Sequence, residues 1–431
     1  MSDSKNDIAW EKLFIKYKIL EQITKAGHFE ISASKINEFR EARLMTKFDH
    51  KSQLPKLFSQ NNLSILPTSR GGYCIGTFDA YYHFKDEPIE ITQIEFSPVL
   101  ESLNFRDITS EATAINCTFV TRILQNFTNE EELFPTVSGR MSSSSFQFMI
   151  NSAIGSFNIN VENAQVEIDG GFEGEKSLNL IEAKNYISDD FLIRQLYYPF
   201  KLWTGKIEKQ VRPIFLTYSN GIFHLREFSF TKINHYNSIV LLRQKKYTLI
   251  DCRFNLEMLI QLIDKTKTVA EPEIPFPQAD NFNRVINLCE LIGQNQTMTK
   301  EQYLQDFDFG AIDPRQHDYY TNAARYLGLV EKTIDPVNKQ TSYILSNLGK
   351  KIMNSPLSDR QKEFIRLILA HKVFKLSLKL YLDTSQVPAK EQIVEIMRNS
   401  KLYHIESDST FYRRASTILS WVSWIINQIE E

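Results

Sequence analysis

The chain has 431 residues, enough for about three domains at the usual size. Lysine and arginine number 50 against 52 aspartates and glutamates, a formal net charge of −2, so overall basicity gives no argument for a nucleic-acid partner. Hydrophobic residues at 42% and charged residues at 24% match a folded chain and argue against long disorder.

Residues 1–7 are polar and lack the apolar core of a signal segment, and no stretch approaches the roughly 18 uncharged apolar residues that span a bilayer. Cys74, Cys117, Cys252 and Cys289 are far apart, without CxxC spacing or a histidine at zinc-ligand distance. These features predict a cytoplasmic protein with no membrane partner, no disulfide framework and no structural zinc.

In chain order, residues 8–25 carry Ile8, Leu13, Phe14, Tyr17, Leu20 and Ile23 at helical spacing. β-like stretches follow at 63–66 and 73–78, separated by Arg70, Gly71 and Gly72. Residues 109–127 predict a helix capped by Thr109 or Ser110. Residues 138–145, rich in serine with Arg140 among them, read as a polar loop that either contacts phosphate or links to the next strand. Strands are expected at 146–150, 157–161, 165–169, 178–184 and 211–217, with a helix over 189–203. Pro272, Pro275 and Pro277 mark an extended linker, and the chain beyond is mostly helical.

Two neighbouring strands carry the chemistry. The two-residue period of a strand puts Glu167 and Asp169 on one face, opposite Val166 and Ile168; it likewise puts Glu182 and Lys184 together, opposite Ile181 and Ala183. Residues 170–174 between them read as the turn of a hairpin. Adjacent carboxylates repel unless a cation lies between them, and hard oxygen ligands suit Mg²⁺. A lysine beside such a metal holds a phosphate oxygen or assists the attacking water. The competing reading is a surface hairpin with a solvated Glu182–Lys184 ion pair.

Asp169, twelve further residues, then Glu182-Ala183-Lys184 resembles the motif of the PD-(D/E)XK nuclease superfamily, with Ile168 where proline is usual. The resemblance covers roughly residues 105–230. It implies a restriction-endonuclease-like α/β (α+β) core, a mixed sheet flanked by helices, with Asp169 and Glu182 as Mg²⁺ ligands and Lys184 as a catalytic residue. It also implies that Gln195, on the following helix, supports the site. Glu111, opening the preceding helix, is either an active-site acid or a charge favoured at a helix N-terminus. Glu167 is a further ligand candidate.

Residues 281–350 are similar to a winged helix: helices at 282–291, 300–307 and 314–327, the last ended by Gly328, then a strand–wing–strand pattern. Arg315, Gln316, His317, Tyr319, Asn322 and Arg325 would be the DNA-reading residues of the third helix; the alternative is a winged helix used for packing. Basic clusters at Lys201, Lys206, Lys209 and Arg212, and over 360–379, fit a nucleic-acid partner or a solvated face.

The expected organisation is an N-terminal α/β region over 1–98 with a possible recognition role, a catalytic core over 99–267, a linker over 268–280, a winged helix over 281–355 and a helical tail over 356–431. The segment Glu41-Ala42-Arg43-Leu44-Met45-Thr46-Lys47-Phe48-Asp49-His50, then Leu54-Pro55, Ile65-Leu66-Pro67 and Arg70-Gly71-Gly72-Tyr73, is also similar to the N-terminal regions of restriction enzymes. The whole resembles a type II restriction endonuclease. That implies Mg²⁺-dependent cleavage of double-stranded DNA in a prokaryotic cytoplasm by a homodimer, alongside a cognate DNA methyltransferase. Alternatives are a modification-dependent or repair-type nuclease, or a winged-helix regulator with an inactive nuclease-like domain.

Overall fold

The computed structural model describes residues 4–85, 89–96, 100–105, 108–249, 254–300, 302–303, 316–334, 339–403 and 405–429. It is a mixed α/β protein divided into two compact units, the first over residues 1–218 and 222–248, the second over 219–221, 249–304 and 312–431.

In the first unit the expected N-terminal helix is two, α1 (Lys5–Tyr17) and α2 (Ile19–Ala26), broken where Lys18 adopts a left-handed φ of 50°. β1 (His28–Ser32), β2 (Ser64–Pro67) and β3 (Gly72–Gly76) form a three-stranded sheet ordered β1-β3-β2. The short strand β4 (Tyr81–His83) is followed by β5 (Ile91–Gln93). The helix expected over 109–127 is also two, α3 (Glu111–Val120) and α4 (Ile123–Thr128), separated by Arg122 at φ 62°.

The central sheet has seven strands. They include β6 (Phe134–Ser142), β9 (Gln165–Glu173), β10 (Ser177–Lys184), β12 (Gln210–Ser219), β13 (Ile222–Phe230) and β14 (Ile239–Thr248), in the order β5-β14-β13-β12-β10-β9-β6. β7 (Ser145–Ser152) and β8 (Gly155–Glu162) make a separate hairpin. The segment expected to be helical from 189 begins as β11 (Asp190–Leu192), paired with β4, and turns into α5 (Arg194–Thr204). β10 runs parallel to β12, and α5 makes the crossover between them. Every residue of β10 is buried, as a central strand covered on both faces requires.

Two sequence expectations are corrected here. The serine-rich stretch around Arg140 is not a loop but the edge strand β6, where Arg140 lies opposite Glu167 and pairs with it at 3.2 Å. Gly170 and Gly171 are not in a turn but inside β9. A Cβ on Gly171 would lie 2.7 Å from the Val137 Cβ, and one on Gly170 would lie 3.2 Å from Ile115 of α3. These glycines let the edge strand and the helix approach β9 closely.

The N-terminal region packs within the first compact unit. Trp10, Leu13, Phe58 and Ile75 belong to the same buried cluster as Leu180, Leu196, Phe215 and Tyr236. The basic cluster after the site is also redrawn. Arg212 is buried and donates two hydrogen bonds to Glu227 at 2.7 and 2.9 Å, and Arg243 pairs with the same carboxylate at 2.6 Å. Lys209 pairs with Glu173.

The second unit contains α6 (Leu256–Lys265), α7 (Phe282–Asn295), β15 (Met298–Thr299), α8 (Gln316–Tyr326), β16 (Val330–Ile334) and β17 (Thr341–Leu345). The strands form an antiparallel sheet ordered β15-β17-β16. α9 (Asn347–Met353), α10 (Leu357–Leu369), α11 (Lys372–Thr384), α12 (Lys390–Arg398) and α13 (Asp408–Ile426) complete it. Most of the expected helix over 300–307 lies outside the described residues. The proline-rich stretch is a packed strap rather than a free linker: Phe276 and Ala279 are buried, and Trp421 donates to the Ala279 carbonyl at 2.7 Å. Among the described residues no helix is long and apolar enough to cross a membrane.

Candidate active site

The site forms where two strands part. The β9–β10 ladder runs from the pair Leu178 and Glu173 to the pair Ile181 and Gly170, and stops there. Toward its N-terminus β9 continues along β6 as far as Gln165, while β10 continues along β12 to Lys184. The resulting fork leaves the Ala183 N–H without a ladder partner, and it donates instead to Asp169 Oδ2 at 2.9 Å. Asp169 is thereby held beside the end of β10, the carboxyl end of a parallel strand pair where open α/β sheets carry ligands.

Glu182 and Lys184 point the same way from β10 and are both buried. Lys184 Nζ donates to Glu182 Oε1 at 2.7 Å, and Gln195 Nε2, from the first turn of α5, donates to the same oxygen at 2.6 Å. Glu111, at the start of α3, brings its carboxylate to 3.7 Å from Lys184 Nζ. Ser110 caps that helix through the Thr113 N–H, which fixes where Glu111 begins it. The sheet and its two flanking helices thus bring Asp169, Glu182, Lys184, Gln195 and Glu111 together.

The site's electrostatics follow from burial opposed chiefly by the Lys184 ammonium. Burial pushes the Glu182 carboxyl up to about 8, with Lys184 pulling down and Asp169 pushing up. Burial also raises Asp169 and Glu111, again against the pull of Lys184. For Lys184, burial alone would favour the neutral amine. The field of Glu182, Tyr186, Glu111 and Asp49 outweighs it and holds the side chain well above its ordinary range, as an ammonium.

Asp49 is the residue the sequence did not place here. Burial opposes its ionisation, but Lys184, Lys47, Arg194 and His50 together hold it below its ordinary value. Its membership depends on contacts across more than a hundred residues of chain, which no local spacing reports.

Among the described residues, both donors to Glu182 meet Oε1 and the donor to Asp169 meets Oδ2, which leaves Glu182 Oε2 and Asp169 Oδ1 without a described hydrogen bond. Gln195 Oε1 is buried and also lacks a partner. Such hard oxygens fit Mg²⁺, which takes one or two carboxylates and keeps several waters. Among the described residues no group of three His, Cys, Asp or Glu side chains is placed to cage a metal. Glu167 is exposed and pairs with Arg140 at 3.2 Å, while it also lines a small cavity with Glu182 and Gln195 and its charge raises Asp169.

In the second unit, α8 does not present all its expected reading residues. His317 is fully buried, packed edge-on against Tyr303 with ring centroids 4.6 Å apart, so it is a core residue and not a base contact. Burial lowers its pKa to about 4, which keeps it neutral. Tyr319, Asn322 and Arg325 are half-buried, and Arg325 donates to Asn322 at 3.0 Å. Arg315 and the side chain of Gln316 lie outside the described residues. Tyr320, Ala323, Ala324 and Leu327 form the buried face, as their spacing predicts.

Three domains of unknown function match the chain: DUF6996 over residues 7–75, DUF6997 over 76–248 and DUF7226 over 284–430. The first junction falls at the end of β3, inside the first compact unit, whereas the third match lies within the second unit. No curated protein and no solved structure matches the chain.

Proposed function

We propose that this protein is a Mg²⁺-dependent DNA endonuclease of the PD-(D/E)XK kind, acting as a type II restriction enzyme on double-stranded DNA. The observation that carries the reading is the fork between β9 and β10, where Lys184 and Gln195 both donate to Glu182 and Asp169 is held by the Ala183 N–H beside them. Asp169 and Glu182 would hold the metal through their unpaired oxygens. Bound there, the metal supplies a Lewis acid for the phosphate and a lowered pKa for the attacking water.

The chain's own groups set the rest. Lys184 enters as an ammonium, so it neutralises a phosphate oxygen and orients the water rather than taking a proton as a base. Gln195 fixes the Glu182 carboxylate from α5. Glu111, 3.7 Å from Lys184 Nζ, adds a second carboxylate to the field of the ammonium. The helix–strand arrangement of α7, α8 and β15–β17 supports a winged helix, with Tyr319, Asn322 and Arg325 as its DNA contacts. A homodimer and a partner methyltransferase follow from the same reading, since cutting both strands needs two sites.

Incubation of supercoiled plasmid with the protein in Mg²⁺ and in EDTA tests this. Linear product in Mg²⁺ alone supports the reading. Plasmid left intact in both, with tight DNA binding, would favour a DNA-binding regulator.

A further inference from the structure

The polar face that carries Asp169 does not end at the site. Along β9 the same face carries Glu167 and Gln165, both exposed, opposite buried Val166 and Ile168. β6 continues it: Arg140 stands opposite Glu167 and Ser142 opposite Gln165, and cross-strand partners share a face. Among the described residues β6 is the last strand of its sheet, so the strip is open along one side. At its far end three turns are stitched together by backbone bonds. The Ser143 N–H donates to the Ala164 carbonyl at 2.8 Å, the Asn163 N–H to the Ser144 carbonyl at 3.0 Å, and the Glu162 N–H to the Thr68 carbonyl at 2.8 Å. The last of these brings the turn between β2 and β3, with exposed Arg70, to that end of the strip. Ser142 Oγ donates to Asn163 Oδ1 at 3.1 Å.

We propose that this strip is the surface that recognises duplex DNA beside the cut, with Gln165 and Arg140 as specificity-determining residues; the choice of partner rests on the nuclease reading of the site. The side chains are of the kinds that recognise base edges. A glutamine pairs with adenine through two hydrogen bonds and an arginine with guanine, while serine hydroxyls add single contacts. Edge strands left to solvent are usually guarded by charge, lysine above all. Here residues 134–173 contain no lysine and a single arginine, Arg140. Its partner Glu167 meets Nε at 3.2 Å, with the two side chains 69% and 53% exposed, so exchanging that pair for a base costs little. The strip also has the right reach. Four residues of strand separate Gln165 from Asp169, about 13 Å at about 3.3 Å per residue. At about 3.4 Å per base step this spans about four base pairs from the reacting phosphate. The stitched turns hold the far end in place, which lowers the ordering cost of binding.

The test retains a random-sequence duplex library on the full-length protein, with Ca²⁺ in place of Mg²⁺, and sequences the bound fraction. The wild type should enrich one motif. Gln165→Ala and Arg140→Ala change exposed side chains and leave the core intact. Each should relax one or two positions of the motif by about tenfold or more while the other positions hold. In Mg²⁺ the relaxed positions should lie within about four base pairs of the cut. A wild type that enriches no motif, a motif that neither variant relaxes, or relaxed positions well beyond that distance would overturn the proposal. Cleavage in Mg²⁺ separates it from the nuclease reading. A relaxed motif without cleavage leaves the recognition surface standing and removes the nuclease, whereas discrete cutting with an unrelaxed motif does the reverse.

Discussion

Replacing Lys184 by methionine keeps an unbranched side chain in a buried position and removes the cation that acts on all three raised carboxyls. In the metal-free protein Lys184 donates to Glu182 at 2.7 Å, with both side chains about nine-tenths buried. The Glu182 carboxyl sits at about 8 in the folded chain against an ordinary 4.5. A group raised on folding gives stability that is fully present below its unfolded pKa and lost as the pH climbs through the folded one. For the wild type that loss therefore levels off above about 8. Without Lys184 the folded pKa moves higher and the loss continues. Asp169 and Glu111, which Lys184 also holds down, shift in the same direction. The stability gap between wild type and Lys184→Met should be about 1 kcal/mol in mild acid, the worth of a lost hydrogen bond. It should then widen, reaching a slope of about 1.4 kcal/mol per pH unit in the alkaline range. Urea unfolding of both metal-free proteins, from mildly acidic to mildly alkaline pH, measures it. A gap that stays constant or narrows as the pH rises refutes the account of the site's charge.

Other outcomes follow from single contacts. Asp169→Asn keeps an oxygen for the Ala183 N–H, so the melting temperature should hold while Mg²⁺-dependent cleavage falls by about a thousandfold or more in kcat. Gly171→Ala places a methyl 2.7 Å from the Val137 Cβ and 2.9 Å from its carbonyl; denaturant unfolding should show a loss of about 1–3 kcal/mol. Arg212→Met removes the bidentate partner of buried Glu227 and should cost about 3 kcal/mol in the same assay. In the second unit, His317→Ala should lower stability and leave the salt dependence of DNA binding alone. Arg325→Glu should weaken binding and flatten its salt slope, measured by fluorescence anisotropy at several salt concentrations.

The heart of the site was readable because strand alternation is local: Asp169, Glu182 and Lys184 share a face by counting in twos. Glu111 and Gln195 were readable because each opens a helix beside those strands. What local pattern missed was set by distant contacts. β6 looked like a loop because an edge strand needs no buried face, and its residues are mostly exposed. β13 and β14 went unnoticed although β13 is largely buried, and β14 mixes apolar and basic residues without clean alternation. Gly170 and Gly171 resembled a turn, whereas close packing by Ile115 and Val137 is what excludes a side chain there. The breaks at Lys18 and Arg122 interrupt apolar stripes that remain continuous in sequence. Three prolines suggested a free linker, and only the burial of Phe276 and Ala279 shows it packed. Asp49 lies in the field of Lys184, and its carbonyl accepts from the Leu192 N–H, partners that no spacing in the first fifty residues could indicate.

The central claim is that the fork between β9 and β10 hydrolyses DNA. Digestion of defined duplex DNA with Mg²⁺, followed by sequencing of the fragment ends, tests it most directly. The account predicts cuts at discrete sequences by the wild type and none by Asp169→Ala or Lys184→Ala proteins that remain folded. Uncut DNA with the wild type, or undiminished cutting by either variant, would contradict it.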